Sequence, residues 1–67
     1  MEELIKNLTP ETLARLTAAI GELLNPEMDQ TDFAIVNTIS NKVFDIGTEK
    51  AGIDFHAKYF DAVAAIG

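Results

Sequence analysis

His56 is the only histidine in the chain, and it stands two residues after Asp54. These residue types could form a proton-transfer dyad or half of a metal site. On a helix, however, side chains two positions apart point about 200° away from each other and do not meet. The spacing therefore favours a surface or interface histidine. Ser40 is the only serine, and its neighbours Ile39 and Asn41 supply none of the glycines of a nucleophile elbow. Its spacing from Val36 and Val43 places it near an apolar stripe, where a serine is expected to bond back to its own helix. The chain has no cysteine, which removes thiol nucleophiles and disulfides and leaves one histidine as a poor basis for structural zinc. Gly21, Gly47, Gly52 and Gly67 are too dispersed to cradle a phosphate. No catalytic, metal or cofactor site is expected, and the chain reads as a non-enzyme.

Charge offers a second kind of chemistry. Glu27, Asp29 and Asp32 are the densest acidic group, and no Lys or Arg occurs between Leu16 and Asn41. The order Asp29-Gln30-Thr31-Asp32-Phe33 lacks the alternating acids, central glycine and terminal Glu of a calcium loop. One reading makes these carboxylates solvated acids at a helix start. The other makes them an acidic patch that occupies a basic site on a partner protein, resembling nucleic-acid charge. Eleven acidic residues against five basic ones give a formal charge of −6. Neutralising a phosphate backbone needs Lys and Arg, so direct nucleic-acid binding is not expected. The same balance disfavours an anionic membrane surface.

These residues must be positioned by helices, because apolar positions recur mostly at intervals of three and four. Leu4, Ile5 and Leu8 share one face of a short first helix, which is expected to fray at Met1. Glu2 suits the positive end of its dipole and stands in the favourable orientation to pair with Lys6. Thr9-Pro10-Glu11 then reads as a cap, a proline at the first helical position and an acid in the first turn. The stripe that follows is Leu13, Leu16, Ile20 and Leu23, with the small Ala14, Ala18 and Gly21 beside it. Small side chains there would let another helix approach closely. Asn25-Pro26 ends this helix. Asp29 or Thr31 is placed to cap the next one.

The third helix carries Phe33, Val36, Ile39, Val43 and Ile46 on one side, with Ile35 and Phe44 off that stripe. Its β-branched residues lower helix propensity. A strand fails nonetheless, because Ala34-Ile35-Val36 breaks alternation and no partner strand exists. Gly47 could stop the helix, but Thr48-Glu49-Lys50-Ala51 are placed to continue it, so it is expected to run through to Gly52. Asp54 is then expected to cap a last helix with Phe55, Tyr59, Ala62 and Ile66 on one face and Phe60, Val63 and Ala64 to the side. The expected fold is all-α, a small bundle of three to four short helices over about 2–8, 10–24, 29–51 and 54–66, forming one domain.

Sixty-seven residues set the functional expectation. A chain this short buries only about 60% of its unfolded surface and is marginal alone. Disulfide and metal are excluded as staples, which leaves tight packing or oligomerisation. The last helix is apolar around most of its circumference, and a helix of that kind should be covered on several sides. Self-association is therefore expected, through Phe44, Phe60, Val63, Ala64 and Ile66, with Phe44 and Phe60 the first places to find an exposed apolar patch. The N-terminal Met1-Glu2-Glu3-Leu4-Ile5-Lys6 lacks the pattern of a signal peptide, and no apolar run is long enough to span a bilayer. With no cysteine, the default expectation is a cytoplasmic homo-oligomer.

Overall fold

The first helix, α1, runs over Glu2–Lys6, and three longer ones follow: α2 over Pro10–Leu23, α3 over Gln30–Ala51 and α4 over Asp54–Ile66. This arrangement comes from a computed structural model, which describes residues 2–66 and the side chains from Glu3 onward. The expected fraying at Met1 and the Glu2–Lys6 pair lie outside the described residues. Among the described residues the only regular structure is helical, as expected of a small all-α bundle.

The ends of the helices follow local chemistry. The Thr9 hydroxyl accepts a hydrogen bond from the Thr12 N–H at 3.2 Å, and Pro10 takes the first helical position of α2. Between α2 and α3 the Asn25 side chain accepts from the Glu27 N–H at 2.8 Å, and the Met28 N–H donates to the Asn25 carbonyl at 3.0 Å. That closes a tight turn at Pro26, so Asn25-Pro26-Glu27 does not start a helix although it has the same cap, proline and acid order as Thr9-Pro10-Glu11. Asp29 caps α3 instead, accepting from the N–H groups of Thr31 at 2.9 Å and Asp32 at 3.2 Å. The helix passes through Gly47 and ends at Gly52, whose φ of 62° lies in the left-handed region. Asp54 is the first helical residue of α4 and not its cap, with its carboxylate in the first turn.

The core is compact and draws on all three long helices: Leu13, Ala14 and Ala18 from α2, Val43 and Ile46 from α3, and Phe55 and Ala62 from α4. Leu13 and Ala14 are adjacent and so point about 100° apart, yet both are buried. Helix α2 is thus covered over a wide arc, in keeping with its contacts to both α3 and α4. Helices α3 and α4 touch each other less. Lys58 pairs with Glu11, and Arg15 shares a groove with Ala62 and Ala65, so α4 runs in the same sense as α2. Thr17, buried in the core, donates its hydroxyl to the Leu13 carbonyl at 2.8 Å, which satisfies it without a partner helix. Near the other end, α1 leans on α3, and Lys50 donates to the Leu8 carbonyl at 2.7 Å.

The result is a flat molecule, with Cα extents of 33 × 28 × 16 Å. Its radius of gyration is 11.9 Å, where a compact chain of this length would have about 11 Å. Its accessible surface is 4737 Å², against about 4,200 Å² for a typical monomer of this mass. Both differences have the same origin: part of the helical surface has nothing packed on it.

Candidate interaction surface

The uncovered surface lies mainly on the first half of α3. Its buried residues are Val43, Ile46 and Gly47, all in the second half. The expected stripe of Phe33, Val36, Ile39, Val43 and Ile46 is therefore divided. Val43 and Ile46 join the core, Val36 is half-buried, and Phe33 and Ile39 are exposed. The cause is length: α3 has 22 residues and α2 has 14, so α2 and the short α1 cannot cover both flanks of α3. Ile35 is 54% exposed and Ile39 is 48% exposed. These two, one turn apart, bound a shallow hollow together with Ala34 and Thr38. The Thr38 hydroxyl is turned back onto the Ala34 carbonyl at 2.8 Å, which removes its demand for water on that face.

A second uncovered surface is the outer side of α4, where Phe60 is 67% exposed and Val63 is exposed as well, while Ile66, on the face of Phe55 and Ala62, is exposed at the end of the helix. Ala64 is also exposed. Four of the five residues expected at an interface thus lie in the open. Phe44 is the exception, and its placement corrects the expectation that it forms part of an exposed patch. It is half-buried, with its ring edge-on to Phe55 and His56 at 5.2 Å each and to Tyr59 at 5.5 Å. Gly47, one turn later on α3, lets the Phe55 ring approach the helix backbone, and that approach brings Phe44 into the aromatic cluster.

The polar candidates are placed as follows. His56 is exposed and touches only the Phe44 ring edge among the aromatic contacts, while Asp54 begins the same helix. Ser40 is half-buried on the inner side of α3, and the back-bonds to the fourth preceding carbonyl are made by Thr17, Thr38 and Thr48. Glu27, Asp29 and Asp32 are exposed around the α2–α3 turn. Asp29 is committed to its capping bonds, so the acidic group has a structural task at its centre. Among the described residues, no group of three His, Asp or Glu side chains is placed to hold a metal ion.

One mixed-charge groove lies between α2 and α4, an open depression of about 240 Å³ lined by Glu11, Arg15, Lys58 and Asp61 over Ala62 and Ala65. Lys58 donates to Glu11 Oε1 at 2.9 Å. The ammonium beside it holds the Glu11 carboxyl below its usual range, and the carboxylate raises Lys58 in turn. The pair fastens α4 to α2 at the surface. Among the described residues no helix is long and apolar enough to cross a membrane. The exposed isoleucines of α3 were not among the expected contact residues. The signal for them was present in Ile35, set off the stripe that Val43 and Ile46 share. No protein-family model matches the chain, and no curated protein or solved structure is significantly similar to it.

Proposed function

We propose that this chain is a non-enzymatic helical interaction protein that self-associates through its apolar helix faces, as a homo-oligomer in the cytoplasm. One observation carries the reading. Among the described residues seven hydrophobic side chains are buried, while nine large ones are exposed. Covering a Leu, Ile, Val or Phe side chain completely contributes about 1.5–3 kcal/mol, so association adds burial that the single chain lacks. Six of the nine lie on two helices, Phe33, Ile35 and Ile39 in the first half of α3 and Phe60, Val63 and Ile66 on α4, and grouping marks an interface where scatter does not.

Gel filtration with light scattering tests the proposal. The expected result is a particle of two or more chains at micromolar concentration. A stable particle at the chain mass of 7.3 kDa removes the reading. The acidic-partner alternative rests on Glu27 and Asp32 with net charge −6, and it ranks second because Asp29 is occupied as a cap. A charge of this size also suits solubility alone.

A further inference from the structure

We infer that the surface through which two copies meet is the outer face of α3, packed antiparallel about a two-fold axis, with Ile35 of each copy against Ile39 of the other. This rests on the self-association proposed above and identifies the face and its register. Four residues define the stripe: Asp32, Ile35, Ile39 and Lys42, at steps of three, four and three. That spacing puts them on one side of a helix. Ile46 continues the stripe by one more turn, and there it is buried at the end of α3 where α1 docks. Towards the start of α3, Ile35 and Ile39 are left about half-exposed. From Phe33 to Asn41 the helix carries no charge at all.

The stripe is self-complementary. Ile35 and Ile39 are centred on position 37, and so are Asp32 and Lys42. A two-fold axis at that point sets Ile35 against Ile39 of the second copy and Asp32 against its Lys42, twice each, as an isologous contact requires. A parallel arrangement would set Asp32 beside Asp32 and Lys42 beside Lys42, which is unfavourable. Lys42 also has an interaction within its own chain, and only the sign of its charge matters to the register. The hollow bounded by Ala34, Ile35, Thr38 and Ile39 provides the space for an incoming isoleucine. Its small members permit close approach of the two helices.

Single-cysteine variants test the register in an otherwise cysteine-free chain. In the antiparallel packing Ile35 lies opposite Ile39, while two copies of Ile35 are offset by about 6 Å along the helix axis. When Ile35→Cys and Ile39→Cys proteins are mixed and oxidised, the mixed 35–39 disulfide is expected to exceed both homodisulfides severalfold. Dominant 35–35 and 39–39 products overturn the antiparallel register. Light scattering with Ile35→Lys and Phe60→Lys tests the face, with circular dichroism as the check on helix content. Both side chains are exposed, so neither change disturbs the core. The Ile35→Lys protein is expected to be a folded monomer, with association weakened at least ~30-fold, and Phe60→Lys to remain a dimer. A dimer that survives Ile35→Lys and is lost on Phe60→Lys overturns the face and leaves self-association standing. A monomeric wild type overturns both.

Discussion

The ring of Phe55 occupies the space that a Cβ on Gly47 would need. Phe55 is fully buried, and Gly47 lies in the middle of the second half of α3. A glycine there weakens the helix by about 1 kcal/mol relative to alanine. In return the largest core side chain lies directly on the helix backbone, and α4 can pack close to α3.

Gly47→Ala should therefore destabilise the fold although alanine is the better helix former. Overpacking of a buried ring costs about 1–3 kcal/mol, and the Phe55 ring that would have to move is fully buried. Set against the helix gain of about 1 kcal/mol, the expected net loss is about 1 kcal/mol, read as a thermal midpoint lowered by roughly 5 °C. Gly21→Ala is the matching control. A Cβ on Gly21 meets nothing within 4 Å, so this change should stabilise by about 0.5–1 kcal/mol. Equal effects at the two glycines, in chemical denaturation, would contradict the packing described.

How far the sequence foretold this fold depends on whether a feature is local. Thr9-Pro10, Asp29 and Gly52 act on their own neighbours, and the helix ends they mark are found within a residue or two. The passage of α3 through Gly47 was readable from the helix formers after it. The reason for the glycine was not, because Phe55 is a tertiary neighbour. Periodicity likewise gave the correct apolar positions on α3 and could not say which would be covered. Val43 and Ile39 belong to the same stripe, and only the length of α2 and the docking of α1 separate one fate from the other. Phe44 shows the same dependence: an off-stripe aromatic becomes half-buried when α4 supplies Phe55 and Tyr59.

Asp29→Ala should loosen the start of α3 more than it lowers overall stability. Two N–H groups, of Thr31 and Asp32, lose their acceptor, and loss of such a cap costs about 1 kcal/mol. None of the buried residues of α3 lies in its first three turns, so the loss is taken up by local opening. Amide exchange over 31–36 should accelerate about 5-fold at this energy, while exchange around Val43 and Ile46 changes little. Uniform acceleration across the chain would place the start of α3 in the global folding unit instead.

The Glu11–Lys58 pair gives a pH dependence whose sign is fixed at both ends. The Glu11 carboxyl is lowered chiefly by the hydrogen bond from Lys58. Its contribution is present above the ordinary Glu value and is lost as pH falls through the lowered one. Lys58 is raised chiefly by the hydrogen bond to Glu11. Its contribution is present below the ordinary Lys value and is lost as pH rises through the raised one. Glu11→Gln should therefore lower the thermal midpoint slightly at neutral pH, and the difference from wild type should vanish in strong acid and in strong alkali. Both groups are at the surface, so added salt should shrink the neutral-pH difference. A difference that grows in acid would mean that Glu11 acts through some contact other than Lys58.

Self-association also predicts a stability that depends on how much protein is present. Where the folded chain associates and the unfolded chain does not, mass action adds the association energy to the folding energy. For a dimer, an increase of about a hundredfold in concentration adds about 1.4 kcal/mol per chain. In a domain of this size that raises the thermal midpoint by roughly 5–10 °C. Ile39→Lys should abolish this dependence and leave the midpoint of the dilute protein nearly unchanged, because Ile39 is half-exposed in the single chain. Leu13→Ala should do the reverse. Its side chain is fully buried, so about 3 kcal/mol is lost at every concentration, and the slope against concentration persists. The two substitutions thereby separate the energy of the fold from the energy of the interface. A wild-type midpoint independent of concentration would mean that the isoleucines of α3 face solvent in the working protein.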